Sequence, residues 1–245
     1  MHQRMLASVR LERPVGRALD VGCGAGVSTA ALAPLAHRVV GLEPVPAMLV
    51  HRRSVAPSAR FVISTAERLP FAAASFGLVA GAGSLNYTDL TSALAEVVRV
   101  LTPDGVFLVY DFSKNRSSPP GDALAAWFES FEQRFPSPPG WRPLAVQHLP
   151  LLAAGLRLLD YADVEIALPM TLGDYLRYVL GEVAVDSQGE VAVDSAIARG
   201  DDSVEQASDW CRRTLAEVFR GGDLTVVLRG YLATRAPAGG GRSAG

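Results

Sequence analysis

The first half of the chain alternates short, β-branched apolar runs with segments in which apolar residues recur at helical spacing. This rhythm predicts a parallel α/β sheet. The predicted strands are Arg17–Val21, Arg38–Leu42, Ala59–Ile63, Gly77–Gly81 and Gly105–Phe112. The predicted helices lie near Val27–Ala36, Pro46–Arg53 and Leu90–Leu101. The last of these carries an apolar face, with Thr88 or Asp89 placed as its N-cap, and "TPDG" (Thr102–Gly105) predicts a turn that ends it.

The second half is less regular. "ALAAWFESFEQRF" predicts a helix, and its aromatic residues Trp127, Phe128 and Phe131 match a core-facing stripe. A sixth strand is predicted near Val164–Leu168, and "DLTVVLRGYLATR" predicts a seventh. Apolar residues repeat at helical spacing before that last strand, with Ser203 and Gln206 as a possible capping box: Val204, Ala207, Cys211, Leu215 and Val218.

An identical heptapeptide, "GEVAVDS", occurs at Gly181–Ser187 and again at Gly189–Ser195. Repeat architectures need several units of about 20 residues or more, so this pair predicts no solenoid. We interpret it as a short duplication in a surface connection.

Composition restricts the function classes. The 245 residues carry a net charge of −2, which gives no electrostatic reason to expect a nucleic-acid or membrane partner. The two cysteines, Cys23 and Cys211, are too few for a disulfide framework or a zinc cluster, and no metal site is predicted. No apolar segment is long enough to span a bilayer, and "MHQRMLASVRLERPVGR" lacks the apolar region of a signal peptide. These features predict a cytoplasmic protein.

"LDVGCGAGVST", Leu19 to Thr29, places a glycine-rich turn between a predicted strand and a predicted helix. Its glycines are spaced G-x-G-x-G, and Val27 stands where a dinucleotide fingerprint has its third glycine. This disfavours a nicotinamide-dependent oxidoreductase. A P-loop would need Gly-Lys-Ser/Thr, which is absent from this turn.

Two carboxylates indicate the charge of the ligand. Asp20 precedes the turn and adds negative charge where a phosphate would favour positive charge. Glu43 follows the second predicted strand, where a carboxylate can accept both hydroxyls of a ribose. An adenosine linked to a cationic amino acid fits the turn and both carboxylates.

At these residues the chain resembles the class I S-adenosylmethionine-dependent methyltransferases. "LDVGCGAGVST" and "GLEPVPAML" are similar to the first two motifs of that family. "AERLPF" (Ala66–Phe71) and "EVVRVLTPDGVFLVYDF" (Glu96–Phe112) resemble the later motifs of its small-molecule, methyltransferase type 11-like branch. The resemblance covers four ordered motifs from Leu19 to Phe112.

The resemblance and the element pattern together predict the fold. We expect a Rossmann-like, doubly wound α/β sheet of seven strands, the last antiparallel to the others, with helical insertions around strand six. The domain is predicted to span residues 1–236, with the cofactor-binding core at about 15–113, a variable acceptor region at about 114–222 and the final strand at about 223–235. The small, polar tail 237–245 is predicted to be disordered.

The resemblance also implies a cofactor, S-adenosyl-L-methionine, and the residues around it. The glycines would let the backbone approach the methionine part, Asp20 would support the turn and attract the ammonium group, and Glu43 would hold the ribose. For Met48 and Leu49, simple core packing is an equally good interpretation. The implied cofactor-binding residues are Asp20, Gly22, Gly24, Gly26, Glu43, Pro44, Met48, Thr65, Ala66, Glu67 and Ala82.

Three features depart from the family pattern. Thr65 stands where many relatives carry Asp, which weakens or removes one contact to the adenine amino group. Gly77 in "SFGLV" replaces the commoner Asp. Only 18 residues precede Leu19, whereas relatives usually have a longer leading segment that helps cover the cofactor.

Methyl transfer needs the nucleophile aligned with the methyl carbon, and ligands of α/β sheets bind beyond the carboxyl ends of the strands. This selects Asn86, Tyr87 and Asp111 as candidates for handling the substrate. Asp111 is a possible base or a structural cap, Tyr87 is a possible acceptor contact or a packing residue, and no catalytic residue is assigned. An insertion in the variable region could cover the acceptor, although core packing is preferred for at least two of Trp127, Phe128 and Phe131. The residues concerned are Trp127, Phe128, Phe131, Phe135, Trp141 and His148.

The sequence therefore predicts methyl transfer from S-adenosylmethionine to a small-molecule acceptor. The alternative is a protein of the same fold that binds this cofactor without transferring the methyl group, as a regulatory subunit or a cyclase-like enzyme.

Overall fold

The computed structural model describes residues 2–9, 11–112, 118, 121, 123–135, 142, 144, 146, 149, 154–180 and 204–238. Its helices are α1 (His2–Leu6), α2 (Val27–Ala31), α3 (Arg52–Val55), α4 (Leu90–Val100), α5 (Ala123–Arg134), α6 (Leu172–Leu180) and α7 (Val204–Phe219). Its strands are β1 (Ala18–Val21), β2 (Val39–Glu43), β3 (Arg60–Ile63), β4 (Phe76–Ala82), β5 (Leu101–Asp111), β6 (Leu156–Met170) and β7 (Leu224–Pro237). Short 3₁₀ helices lie at Ala33–Leu35, Pro46–Leu49 and Leu85–Tyr87.

The strands form one seven-stranded sheet in the order β3-β2-β1-β4-β5-β7-β6. β1 pairs in parallel with both β2 and β4, so the strand order reverses beside β1, and β7 pairs antiparallel with β5. The predicted doubly wound α/β fold, with its last strand antiparallel, is confirmed.

Two predicted helices are shorter than expected. The segment predicted as Val27–Ala36 leaves the α-helix after Ala31 and continues as a 3₁₀ turn that contains Pro34, which cannot donate a helical hydrogen bond. The segment predicted as Pro46–Arg53 divides into a 3₁₀ helix, Pro46–Leu49, and the short α3.

The turn predicted at Thr102–Gly105 is wrong. These residues lie inside β5, which follows α4 directly. Leu101 pairs with Phe76 and Val106 pairs with Leu78, so the segment between them forms an irregularity in the β4–β5 ladder. The turn-forming residues produce a bulge while the chain stays in the sheet.

The cap of α4 is Asp89. Its Oδ1 accepts a hydrogen bond from the Ser92 backbone N–H at 2.9 Å, which satisfies one of the free donors at the start of the helix. The helix buries Leu94, Val97 and Val100 against the sheet core.

The chain divides into two compact units. The first comprises residues 1–111, 142–164 and 231–245, and it contains β1 to β5 and the predicted cofactor motifs. Its core lines the sheet with apolar side chains from the strands and α4, including Leu19, Val79, Phe107 and Leu94.

The second unit comprises residues 112–141 and 165–230. The aromatic stripe predicted on α5 is buried within it, because Trp127 stacks on Phe131 and lies 6.0 Å from the ring of Tyr175. The Trp127 indole Nε1–H donates to Thr214 Oγ1 of α7 at 2.7 Å, so its one polar group is satisfied. The core-packing interpretation of this stripe is confirmed.

Several sequence features lie outside the described residues: both copies of "GEVAVDS", Trp141, His148, Ser203 and residues 239–245. In the part of the chain that the structure describes, no helix is long and apolar enough to cross a membrane.

Candidate functional site

The candidate site lies where β1, β2 and β4 end. Val21 is level with Leu42 of β2 and with Gly81 of β4, so the residues that follow these strands come to one edge of the sheet. Because β1 lies between its two parallel neighbours, this edge is the switch point at which ligands of open α/β sheets bind.

The glycine turn has a left-handed backbone at each predicted glycine: φ is +68° at Gly22, +52° at Gly24 and +98° at Gly26. At two of them a side chain would also collide with protein. A Cβ on Gly22 would lie 2.3 Å from Ser84 Cβ, and one on Gly26 would lie 2.9 Å from the Phe61 ring. The turn therefore needs glycine for internal packing as well as for its backbone shape.

Asp20 is fully buried just before this turn. Its Oδ2 accepts hydrogen bonds from Ser28 Oγ at 2.6 Å and Thr29 Oγ1 at 2.7 Å, which ties β1 to α2. Its Oδ1 has no hydrogen-bond partner among the described residues. Burial raises the pKa of Asp20 to about 6, against the lowering effect of the two hydroxyl bonds, and the negative charge of Glu43 raises it further.

Glu43 closes the turn from the neighbouring strand. Its Oε2 accepts from the Gly24 N–H and its Oε1 accepts from the Val45 N–H, both at 3.0 Å. Burial raises the pKa of Glu43, although these two backbone bonds oppose the rise. A carboxylate has about four acceptor positions, so each oxygen of Glu43 keeps capacity for a ligand hydroxyl.

The residues after Glu43 differ in exposure. Pro44 is exposed, Met48 is half-buried, and Leu49 is buried in the 3₁₀ helix Pro46–Leu49. The core-packing interpretation therefore holds for Leu49, while part of Met48 stays accessible beside the site.

The segment predicted to contact the adenine runs from Ser64 to Phe71. Thr65 is exposed, Ala66 is buried and Glu67 is half-buried. Glu67 Oε1 accepts from the Asp89 backbone N–H at 2.9 Å, so this carboxylate connects the segment to the start of α4.

A pair of charged residues on α4, Glu96 and Arg99, holds the other end of this segment. The Arg99 guanidinium donates to the Phe71 carbonyl at 2.7 Å and to the Leu69 carbonyl at 2.9 Å. Glu96 Oε2 accepts from the Leu69 N–H at 2.7 Å, and the two side chains are themselves joined by a bidentate ion pair. We call this arrangement the Glu96–Arg99 clamp.

The predicted substrate residues follow β4 and end β5. Ala82 is half-buried, Asn86 and Asp111 are buried, and Tyr87 is exposed. Asp111 lies against the turn after β4, because a Cβ on Gly83 would be 3.0 Å from its Oδ1. Asp111 also pairs across the ladder with Tyr231 of β7.

Sequence reasoning missed three contributors to this edge. Ser84 fills the space left by Gly22 and donates from Oγ to the Val21 carbonyl at 2.5 Å. The Glu96–Arg99 clamp was recognised only as part of a motif. Tyr231 comes beside Asp111 from a strand 120 residues later, and burial, Asp111 and Tyr161 raise the pKa of its phenol. Apart from the Glu96–Arg99 ion pair, which joins positions i and i+3 of α4, these contacts join residues far apart in the chain and have no local sequence signal.

No group of three or more His, Cys, Asp or Glu side chains that could hold a metal ion occurs among the described residues.

Comparison with known proteins identifies the domain. Residues 19–109 match the family model described as a methyltransferase domain. These residues, which make up less than half of the chain, are similar to methyltransferase domains. The chain is 34% identical over 127 residues to a demethylmenaquinone methyltransferase of Beutenbergia cavernae, a match that covers 51% of each protein.

One further relative is also named a methyltransferase, and one solved structure shares the fold. The chain is 33% identical over 154 residues to the O-methyltransferase cnsE of Penicillium expansum, which covers 60% of this chain and 54% of that protein. The crystal structure of the YcgJ protein of Bacillus subtilis shares the fold, with a TM-score of 0.56, 23% identity and coverage of 96% and 97% of the two chains. The chain spans about half the length of the curated relatives it matches.

Proposed function

We propose that this methyltransferase domain binds S-adenosyl-L-methionine over the turn Gly22–Gly26 and transfers its methyl group to a small-molecule acceptor. The observation that carries the proposal is the pair of buried carboxylates, Asp20 and Glu43, at the edge where β1 and β2 end. Burial raises the pKa of both carboxylates, and a positively charged ligand would stabilise their ionised forms.

The donor set fits the cofactor. The unpartnered Oδ1 of Asp20 is available to accept from the ammonium group, and Glu43 retains acceptor capacity for the two ribose hydroxyls. Both interactions are stronger when the carboxylate is ionised, because hydrogen bonds to charged acceptors are roughly twice as strong as those to neutral ones.

We place the adenine beside Pro44, Met48, Thr65, Ala66 and Glu67. The exposed Thr65 offers a hydroxyl where many relatives have a carboxylate, so the contact to the adenine amino group is weaker. The Glu96–Arg99 clamp contributes indirectly by holding the backbone of Leu69 and Phe71, a few residues beyond this contact.

The acceptor is proposed to bind beside Ala82, Asn86, Tyr87 and Asp111. When bound, S-adenosylmethionine supplies a methyl group that its positively charged sulfur already activates. The protein then needs to align the acceptor with that group and to exclude water. For a hydroxyl or amine acceptor, we propose Asp111 as the group that accepts the proton, with a purely structural role as the alternative.

The relatives narrow the acceptor. One is named for a demethylmenaquinone and another for O-methylation, so phenols and quinols lead the acceptor classes to be tested. We also propose that the protein acts in the cytoplasm and has no nucleic-acid partner. The net charge of −2 supports the second point.

Two assays in sequence test the proposal. Calorimetry with S-adenosylhomocysteine measures cofactor binding, and incubation with methyl-labelled S-adenosylmethionine and a panel of phenols, quinols, carboxylic acids and amines measures transfer. We expect one cofactor site per chain and label in at least one acceptor class. Binding without transfer to any acceptor would favour the non-catalytic alternative, and no binding would contradict the whole proposal.

A further inference from the structure

Asn86 has an unusual environment within the proposed acceptor site. It lies in the 3₁₀ helix Leu85–Tyr87, directly after β4, and only 5% of its surface is exposed. Its Oδ1 is completely buried and has no hydrogen-bond partner within the described part of the chain. A buried amide oxygen without a partner destabilises a fold, and most native proteins avoid this arrangement.

Hydrogen bonds fix the backbone around Asn86. Ser84 Oγ donates to the Val21 carbonyl, the Tyr87 N–H donates to the Ser84 carbonyl at 3.3 Å, and the Arg142 N–H donates to the Asn86 carbonyl at 2.9 Å. The backbone from which the side chain extends is therefore held by hydrogen bonds, and none of them reaches the side-chain oxygen.

We propose that Asn86 determines acceptor specificity by accepting a hydrogen bond from an O–H or N–H group of the acceptor. This inference rests on the proposed function and adds the chemical class of its substrate. An amide oxygen accepts only, so a ligand without a donor at that point leaves it unsatisfied, whereas a hydroxyl or amine group removes the cost. The buried carboxyl of Asp111, which lies close to Gly83, is a second acceptor at the same edge of the sheet.

This role and a structural role predict opposite changes in stability. A structural asparagine stabilises the free protein, and its loss destabilises the fold. An asparagine kept for a ligand leaves the free protein with an unsatisfied polar group, so an apolar residue in its place maintains or raises stability.

The test uses Asn86→Leu, with Asn86→Ala as a second variant in case leucine is too wide, and Thr91→Ala as the control. Thr91 is exposed in the first turn of α4 and lies outside the site. Urea denaturation measures the stability of the ligand-free proteins, calorimetry measures S-adenosylhomocysteine binding, and kcat/KM is measured for each acceptor that the wild type methylates.

We expect at least one Asn86 variant to be as stable as the wild type, with unchanged S-adenosylhomocysteine affinity and kcat/KM lowered about ten- to a hundredfold. The loss should disappear for acceptor analogues in which the O–H or N–H that donates to Asn86 is replaced by a methoxy or methyl group. With these analogues the wild type already lacks the hydrogen bond to Asn86. The control should match the wild type throughout.

Loss of stability in both variants would overturn the inference, as would an equal loss of kcat/KM with donor and donor-free acceptors. Failure of wild-type S-adenosylhomocysteine binding would count against the proposed function, which separates the two results.

Discussion

The Glu96–Arg99 clamp gives a prediction whose magnitude follows from the contacts. In Arg99→Met the aliphatic stem remains, but the guanidinium bonds to the Leu69 and Phe71 carbonyls and to Glu96 are lost. A hydrogen bond to a charged group contributes about 1.5–3 kcal/mol, and the Arg99 side chain is 37% exposed, so solvent screening reduces that value. We expect the segment to be loosened by about 1–2 kcal/mol in total.

That loosening should reach the cofactor, because the same segment carries Thr65, Ala66 and Glu67. If most of the ordering cost passes to binding, S-adenosylhomocysteine affinity falls about five- to thirtyfold. Arg99→Lys should restore little, because one ammonium group cannot bond to two carbonyls and a bidentate carboxylate together.

Calorimetry measures the affinity, and hydrogen exchange at the Leu69 amide, which donates to Glu96 Oε2, measures the loosening. Arg68→Met is the control, since it removes an exposed charge from the same segment. Unchanged affinity with faster exchange at Leu69 would show that the clamp does not position the cofactor site, and unchanged exchange would refute the clamp itself.

Three further predictions concern Asp20 and Gly77. The pKa of Asp20 is raised from 3.8 to about 6, so between these pH values the folded chain retains a proton that the unfolded chain releases. The free energy of unfolding therefore falls by about 3 kcal/mol as pH rises through this range. Asp20→Asn should flatten this part of a urea-denaturation pH profile, whereas an unaltered slope would contradict the assignment. S-adenosylmethionine affinity should instead increase as pH rises through about 6, because ionised Asp20 attracts the ammonium group, and calorimetry at pH 5 and 7 checks this. Gly77→Ala places a Cβ 2.9 Å from Val15 Cβ and should cost about 1–3 kcal/mol; the double variant with Val15→Gly should lose less than the sum of the single changes, and strict additivity would refute the contact.

Residues whose role depends on their own strand or turn were predictable from the sequence. The strand ends, the glycine turn and the carboxylates Asp20 and Glu43 follow from periodicity and short-range motifs, and the structure brings them to one edge of the sheet. The contacts that these residues make could not be predicted, because the partners lie far away in the sequence. Gly22 is required by Ser84, 62 positions later, and Arg99 holds carbonyls 28 and 30 positions earlier.

Local propensity also misled at one point. "TPDG" has the composition of a turn, but Leu101 and Val106 on either side of it both pair with β4, so Thr102–Gly105 form a bulge within β5. Strand β6 extends from Leu156 to Met170, well beyond the apolar run near Val164–Leu168 from which it was predicted. The prediction was too short because much of the rest of the strand is exposed and lacks the alternation that indicates a strand. Tertiary pairing decided both outcomes.

The most direct test of the central claim is calorimetric titration of S-adenosylhomocysteine into the wild type and into Glu43→Gln. This substitution removes the charge that would hold the ribose hydroxyls, and Glu217→Gln on the exposed side of α7 is the control. We predict one site in the wild type and in the control, with affinity about ten- to a hundredfold lower in Glu43→Gln, provided that all three proteins remain folded at the temperature of the assay. Equal affinity in folded wild type and Glu43→Gln, or no binding to the wild type, would contradict the proposed cofactor site.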